Sequence, residues 1–275
     1  MLKDITIGQY YQTDSVIHRL DPRVKLLGTL LYIIALFTVN NFAGYLFVAV
    51  FLAIIIRLSN VPFRYMIRGM KTILFLLLLT VVFNLFLTPG EVVFSVWKLT
   101  ITKEGILFAV KMAFRLTFLL IGCSVMTLTT TPNQLTDGLE KSLSPLKKIH
   151  VPVHEISMMM SIALRFIPIL MEETDKIMKA QIARGADFES KNIMKKIKSL
   201  IPLLVPLFIS AFRRANDLAM AMEARCYHGG EGRTKMKPLR YQKRDGIAYV
   251  VLFAFLICCI GFRIAGRFLH GGLFI

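Results

Sequence analysis

The sequence predicts an all-α, polytopic membrane protein with about five transmembrane helices and long cytoplasmic amphipathic helices. Composition is the first reason, because 55% of the 275 residues are hydrophobic, more than a soluble domain of this length requires. The second reason is that these residues fall in long runs, which are typical of bilayer-spanning helices. The third is an excess of 34 Lys and Arg over 17 Asp and Glu, placed beside the apolar runs as in cytoplasmic loops.

Residues 1–128 are expected to form an N-terminal membrane bundle of four spans. The apolar runs that predict these spans are Leu26–Val39, Tyr45–Ile56, Thr72–Leu87 and Ile106–Leu128. A short "NNFAG" break separates the first two runs, and the sequence Thr-Pro-Gly closes the third.

The basic residues orient these spans. Arg19, Arg23 and Lys25 precede the first span, and the basic segment from Arg57 to Lys71 follows the second. Both segments, and with them the N-terminus, are expected on the cytoplasmic side of a bacterial cell membrane, because Lys and Arg collect in cytoplasmic loops. The segments "NNFAG" and Thr88–Gly105 carry few basic residues and are expected outside.

Residues 129–244 are expected to form a separate region of long amphipathic helices, partly at membrane depth and partly cytoplasmic. Either Thr131 or Asn133 can cap its first helix. Two ordinary transmembrane helices remain an alternative for the apolar stretches of this region. Those stretches are flanked by charge and interrupted by three prolines, Pro168, Pro202 and Pro206.

Residues 245–275 are expected to hold the last span, Gly246–Phe262, and a C-terminal tail. Basic residues precede this span, so its start is expected in the cytoplasm and the C-terminus outside. Arg263 and Arg267 follow the span and count against this topology.

A few charged and polar groups need an explanation of their own. Within the predicted spans they are Asn84, Lys111 and Arg115. Lys111 can extend its ammonium group toward an interface, and Arg115 is expected to face the bundle and bind a backbone carbonyl. Glu172, Glu173 and Asp175 are interpreted as a solvated face of an amphipathic helix, with a role in proton transport as a minor option.

Two short segments of the amphipathic region resemble each other, "KIMKAQIARGADF" and "LAMAMEARCYHGG". One Arg-Gly pair at a helix end is typical of a basic C-cap, because the helix dipole favours a cation in the last turn. Two copies at matched helical phase favour docking, in which each guanidinium fork pairs with a carboxylate in an acidic pocket of a partner protein. The predicted docking residues are Ala183, Arg184, Gly185, Ala224, Arg225 and Cys226.

Two further patterns predict contacts of the same helices. Ala211, Ala215 and Ala219 recur every four residues, a spacing that lets membrane helices cross closely, although alanine is also simply a good helix former. Close crossing would suit two helices that bring both tips to one partner. A methionine face adapts to several partners in turn, although methionines also fill cores. The methionines assigned to this face are Met158, Met159, Met160 and Met171.

Other site chemistries are disfavoured by the residues present. The chain carries no GxxxxGK motif, so ATP hydrolysis is not expected of it. Pro152 lies between His150 and His154, and a helix-entry loop is preferred there to a metal site. The four cysteines lack the spacing of zinc or disulfide frameworks. The basic residues flank apolar helices, which argues against nucleic-acid binding. No catalytic, cofactor-binding or metal-binding residue is assigned.

Two alternative functions remain open on the residues alone. A conventional transporter permease would bind cargo in its own pore and would need polar residues on several spans, where they are sparse. An intramembrane enzyme, such as a lipid-modifying transferase or a protease, would need clustered His, Asp or Glu at membrane depth, and the predicted spans lack such clusters.

The segments that carry a resemblance to a known family are the paired "ARG" and "EARC" helix ends, the "HRLDPRVKLL" segment before the first span and the "GGEGRT" segment. Through these segments the chain resembles the transmembrane coupling subunit of energy-coupling factor transporters, the T component or EcfT family. The resemblance covers nearly the whole chain. Cys226 stands where small residues such as Gly or Ser also occur in that family.

This resemblance implies a non-catalytic subunit that joins two cytoplasmic ABC ATPases to a small membrane-embedded substrate-binding subunit. ATP and Mg²⁺ would be held by the ATPases, and the complex would import vitamins or trace metal ions. The resemblance also implies that Arg184 and Arg225 lie in grooves of the two ATPases and pair with acidic residues there. The coupling region of the family corresponds to residues 130–230.

Overall fold

The computed structural model describes residues 10–96, 99–186, 188, 193–229, 236 and 238–269. Within these residues the chain forms eight α-helices, one 3₁₀ helix and one β-hairpin. In chain order the elements are α1 (Pro22–Thr38), α2 (Phe42–Ser59), α3 (Phe63–Leu87), β1 (Val92–Val96), β2 (Leu99–Thr102), α4 (Lys103–Thr129), α5 (Pro132–Ser142), the 3₁₀ helix (Ser144–Ile149), α6 (Val153–Ala183), α7 (Ile193–Glu223) and α8 (Lys243–Leu269).

The predicted class, an all-α polytopic membrane protein, is confirmed. Among the described residues, four helices are long and apolar enough to cross a membrane, namely α2, α4, α6 and the part of α8 over Lys243–Gly266. The end of α3, Leu77–Leu87, is a shorter apolar helix. With 17 residues, α1 is at the lower limit for a span. The length and hydropathy of α6 keep the transmembrane alternative open for that helix.

The chain divides into two compact units. One is built on Leu139–Pro238 and contains α6 and α7. The other is built on Gly8–Gly138 and Leu239–Ile275 and contains α1 to α4 and α8, so that the last helix packs with the N-terminal ones. The division into the three segments 1–128, 129–244 and 245–275 stays a prediction.

The segment "HRLDPRVKLL" leads into α1, which begins at Pro22. The Asp21 carboxylate accepts a hydrogen bond from the backbone N–H of Arg23 (2.9 Å) and caps the helix, while Pro22 occupies the first turn, where no N–H is needed. The Arg23 guanidinium donates to the same carboxylate (2.8 Å) and lies 3.7 Å from the centre of the Tyr241 ring. Burial opposes the ionisation of Asp21, but the hydrogen bonds from Arg23 hold its pKa below the usual value.

Buried polar bonds join this helix start to two other helices. The Lys25 ammonium donates to the carbonyl of His18 (3.1 Å) and to that of Thr129 at the end of α4 (2.8 Å). The Asp245 carboxylate, in the first turn of α8, accepts from the backbone N–H of Asp21 (2.9 Å). Because these groups are buried, their hydrogen bonds fix which helix ends meet.

His18 is buried in the turn that precedes α1. Its imidazole bonds to the Ser15 hydroxyl (2.7 Å) through Nδ1 and to the Tyr11 carbonyl (3.0 Å) through Nε2. Burial lowers the pKa of His18 below its ordinary 6.5, although the bond to the Tyr11 carbonyl opposes this. The folded protein therefore favours the neutral imidazole.

An aromatic cluster fills the interior between α1, α2, α4 and α8. Phe255 of α8 stacks on Phe51 of α2 with the ring centroids 3.9 Å apart, and on Tyr32 of α1 at 6.1 Å. The Tyr32 hydroxyl donates to the carbonyl of Phe118 on α4 (2.8 Å). Gly122 of α4 makes room for this ring, since a Cβ there would clash with it.

The prediction that Arg115 binds a backbone carbonyl is confirmed. Its Nη2 donates to the carbonyl of Val39 (3.1 Å) and to the side-chain oxygen of Asn40 (2.9 Å), after the end of α1. The Asn84 amide donates to the carbonyl of Thr80 within α3 (2.8 Å). Two of the three polar groups in the predicted spans are thus bonded to the protein backbone.

Two segments expected to be loops are structured. The backbone of the basic segment is mostly helical, because α2 ends at Ser59 and α3 begins at Phe63, and basic residues one turn apart can share a helix face. The segment Thr88–Gly105 contains the antiparallel pair of β1 and β2, whose Val, Ile and Thr residues favour strands. Trp97, between these strands, lies outside the described residues.

Thr131, rather than Asn133, caps α5. The Thr131 hydroxyl accepts from the backbone N–H of Gln134 (3.3 Å), and the Gln134 side chain accepts from the backbone N–H of Thr131 (3.1 Å), which forms a capping box. Pro132 occupies the first helical position, so that Asn133 lies inside the helix. The prolines of α6 and α7 interrupt their apolar stretches, but both helices continue through them.

Candidate functional site

The first predicted docking end is the C-terminus of α6. The helix ends at Ala183, and Arg184 is its C-cap. The backbone N–H of Gly185 donates to the carbonyl of Ile182 (2.9 Å), and that of Ala186 donates to the carbonyl five residues earlier (3.0 Å). Gly185 has a left-handed φ of 87°. This pattern is a Schellman motif, in which an exposed arginine directly precedes the glycine with left-handed φ.

The second predicted docking end, after α7, repeats this geometry. The backbone N–H of Cys226 donates to the carbonyl of Glu223 (2.8 Å), and that of Tyr227 donates to the carbonyl of Met222 (3.0 Å). Cys226 has a φ of 54°, a conformation that is strained for a residue with a Cβ. The repeated Ala-Arg in the sequence is therefore a repeated structure, with Cys226 in the place of Gly185.

Both arginines are exposed at these ends. Ala183, Arg184, Ala224 and Arg225 are exposed, and neither guanidinium has a hydrogen bond or ion pair within the described part of the chain. Each arginine stabilises the end of its own helix, because its positive charge interacts favourably with the helix dipole. The N–H donors of its guanidinium remain available to another molecule. The "GGEGRT" segment lies outside the described residues beyond Gly229.

One carboxylate joins α6 to α7. Glu173 of α6 accepts from the Ser210 hydroxyl (2.5 Å) and from the Arg214 guanidinium (2.7 Å), both on α7. Nearer the end of α6, the Gln181 amide donates to the carbonyl of Pro202 (3.4 Å), nearer the start of α7. The two helices therefore run in opposite directions along their contact. We call Glu173, Ser210 and Arg214 the interhelical brace.

The brace joins equivalent positions of the sequence repeat. Glu173 and Arg214 are 41 positions apart, the same offset that aligns Arg184 with Arg225. Each tip arginine lies eleven residues beyond its own brace residue, about 16 Å along a helix. Since the helices run in opposite directions, the tips lie on opposite sides of the brace. This arrangement fits two separate docking positions better than the expected meeting of both tips at one partner.

The three predicted packing alanines of α7 differ in exposure. Ala211 is half-buried, whereas Ala215 and Ala219 are exposed. A packing role for the three alanines stays a prediction.

The predicted methionine face is accessible to a partner. Met159 and Met160 are 58% and 41% exposed, and Met158 and Met171 are half-buried. Three consecutive methionines point in different directions around a helix, so they cover more than one face of α6. Their contact with a substrate-binding subunit stays a prediction.

Sequence reasoning missed the brace. The interpretation of Glu173 as part of a solvated face is wrong, because this residue bonds across to α7, while its neighbour Glu172 is exposed. The repeat contained the signal, since the alignment that pairs the two tip arginines also pairs the acidic Glu173 with the basic Arg214.

The histidine considered as a metal ligand has another partner. His154 Nδ1 bonds to Glu140 (3.1 Å), which also accepts from the Ser157 hydroxyl (2.9 Å). His150 is exposed and has a left-handed φ of 61° in the turn before α6. Among the described residues no group of three or more His, Cys, Asp or Glu is placed to hold a metal ion.

The fold and these ends define a multi-pass helical membrane protein with two arginine-tipped helices. Residues 13–236 match the family described as cobalt transport protein, CbiQ. The chain is 59% identical, over 94% of its length and 96% of the relative's, to the energy-coupling factor transporter transmembrane protein EcfT of Clostridium kluyveri. It is 45% identical to the protein of the same name from Lactococcus lactis, over 94% of this chain and 98% of the relative. It is 44% identical to that of Bacillus subtilis, over 93% of this chain and 98% of the relative.

The chain therefore belongs to the cobalt transport protein family, as an EcfT-type transmembrane component of energy-coupling factor transporters. The resemblance found in the sequence is confirmed. The matched residues contain both tip arginines and the brace.

Proposed function

We propose that this chain is the coupling subunit of an energy-coupling factor importer, which transmits motion from two cytoplasmic ABC ATPases to a small membrane-embedded substrate-binding subunit. The cargo would be a vitamin or a trace metal ion. ATP and Mg²⁺ act on the ATPases, and this chain supplies no catalytic residue. The N-terminus and the tips of α6 and α7 face the cytoplasm in this proposal.

The observation that carries the proposal is the pair of equivalent helix ends. Two exposed arginines follow the same capping geometry, and they lie on opposite sides of one brace. A planar guanidinium suits a carboxylate in a groove. Two equivalent tips suit two similar partners, one for each arginine.

The mechanism then follows from the contact between the helices. When ATP binding draws the two ATPases together, each carries one tip with it. Because Glu173 bonds to both Ser210 and Arg214, α6 and α7 respond together instead of sliding independently. The exposed methionines of α6 would pass this movement to the substrate-binding subunit, which reorients and releases its cargo.

Charge reversal of the tips tests the proposal. Arg184→Glu and Arg225→Glu place a carboxylate in each expected acidic groove, so each should reduce the co-purification of the ATPases at least tenfold, and the double variant should abolish uptake. Such losses are typical of truncated charge pairs, which cost about 2–5 kcal/mol. Arg213→Glu is the matched control, since Arg213 is exposed on α7 but lies away from the tip.

Insertion is checked by equal amounts of each variant in the membrane fraction. Normal uptake by the double reversal would overturn the docking role. Purification of the tagged chain from native membranes in mild detergent adds an independent test, with two ATPases and one or more small membrane subunits expected to co-purify. If the chain purifies alone and binds a small ligand itself, the permease function is supported instead.

A further inference from the structure

A groove lies between the segment that precedes α1, the end of α2 and the start of α8. Its volume is about 480 Å³, and its lining includes Asp14, Arg19, Arg57 and Arg244. Arg57 is in the last turn of α2, and Arg244 is in the first turn of α8. Three cations, from the segment before α1, the last turn of α2 and the first turn of α8, therefore line one groove.

The charges of the groove are only partly balanced. Arg19 forms an ion pair with Asp14, and this guanidinium holds the pKa of Asp14 below its usual value. Both side chains therefore stay ionised, and the pair carries no net charge. Arg57 and Arg244 have no carboxylate partner in the described part of the chain. The Nε of Arg244 is buried and has no acceptor among those residues, which is uncommon for a buried donor.

The position of the groove identifies the class of anion. Both α2 and α8 are long and apolar enough to cross a membrane. The groove lies at the end of one helix and the start of the other, so that, if both helices cross a bilayer, it would lie near the headgroups. Leu58 and Val16, which also line it, are 48% and 58% exposed. An anionic group beside exposed apolar side chains matches a phospholipid, whose phosphate is bonded to an apolar body.

We propose that this groove binds the phosphate of an anionic phospholipid, with Arg57 and Arg244 as the donors. Guanidinium forks bind phosphate oxygens in pairs, and basic pockets at the ends of membrane helices are suited to such headgroups. The bound lipid would hold the ends of α2 and α8 together through charge, next to the Asp21 and Asp245 contacts that join α1 to α8.

The test uses the full purified chain in a neutral detergent, with dioleoylphosphatidylglycerol as the anionic probe and dioleoylphosphatidylcholine as its zwitterionic counterpart. Bound lipid is counted by native mass spectrometry, and the thermal unfolding midpoint is followed during titration. The groove variant is Arg57→Gln with Arg244→Gln. The control, Arg240→Gln with Lys243→Gln, removes the same charge from two exposed residues outside the groove.

We expect the unchanged chain and the control to bind phosphatidylglycerol at least tenfold more tightly than phosphatidylcholine, and the groove variant to lose this preference. An equal preference in the groove variant would overturn the proposal. Inorganic phosphate that displaces the lipid and stabilises the chain equally would also overturn it, in favour of a soluble anion. If the groove variant does not run as a single species on gel filtration, the milder Arg57→Lys with Arg244→Lys replaces it, with a partial loss expected.

Discussion

Removal of the interhelical brace should weaken the coupling of α6 to α7. The Glu173 and Arg214 side chains are 23% and 38% exposed, so the pair is only partly shielded from solvent. Exposed ion pairs contribute about 0.2–1 kcal/mol, and hydrogen bonds between membrane helices about 0.6 kcal/mol on average. Since Arg214 donates one charge-assisted hydrogen bond to Glu173, and the cycle cancels the separate bond from Ser210, we expect a coupling energy of about 0.6–1 kcal/mol between Glu173 and Arg214.

A double-mutant cycle measures this energy. The free energy of unfolding in mixed micelles is compared for the unchanged chain, Glu173→Ala, Arg214→Ala and the double variant. Glu172→Ala is the control, because Glu172 is the exposed neighbour on the same helix. In the complex, Glu173→Ala should lower uptake while the ATPases still co-purify, because the tip arginines are unchanged.

The cycle can contradict this reasoning in two ways. A coupling energy within about 0.3 kcal/mol of zero would show that the two side chains act independently. An equal loss of uptake in the Glu172→Ala control would show that the effect comes from the charge of this helix and not from the brace.

Three further predictions concern helix ends and one titrating group. Cys226→Gly relieves the left-handed φ of 54° and should raise the free energy of unfolding by about 0.5–1 kcal/mol, whereas Gly185→Ala should lower it by about 1 kcal/mol. Thr131→Ala removes the capping box and should cost about 1 kcal/mol, with Asn133→Ala close to neutral. The pKa of His18 is lower in the folded chain than its ordinary 6.5, so the unfolded chain binds more protons at acidic pH. The thermal unfolding midpoint should therefore be highest above about pH 6.5 and should fall as the pH is lowered through the folded-state pKa of His18. His18→Gln should remove this acid-dependent loss, and a retained loss would assign it to another group.

The spans could be predicted because hydrophobic run length is a local property of the sequence. The run Ile106–Leu128 lies within α4, and Gly246–Phe262 lies within α8. The helices are longer than the runs because charged residues such as Lys103 and Lys243 extend helices beyond the apolar core without contributing to the hydropathy. For the same reason, the basic residues between Arg57 and Lys71 predicted a loop where the structure has the start of α3.

The capping geometry of the two arginine-tipped helix ends was predictable in part. Gly185 after Arg184 signals a left-handed cap, but a cysteine with positive φ has no sequence signal, and only the repeat pointed to Cys226. The brace depends on a contact between residues 41 positions apart, which periodicity within one helix cannot show. The sequence shows that Glu173 is acidic and Arg214 is basic, but whether the two side chains come into contact depends on the direction in which the two helices pack.

The equal spacing of the brace from both tips has a mechanical consequence. The helix pair is a lever with two arms of eleven residues, about 16 Å each, and with its fulcrum at Glu173. A rotation of about 10° at that fulcrum would displace each tip by about 3 Å, in equal measure. Under the proposed docking, two ATPases that move the tips by equal distances would therefore act on the brace through arms of equal length, and neither would have a mechanical advantage over the other.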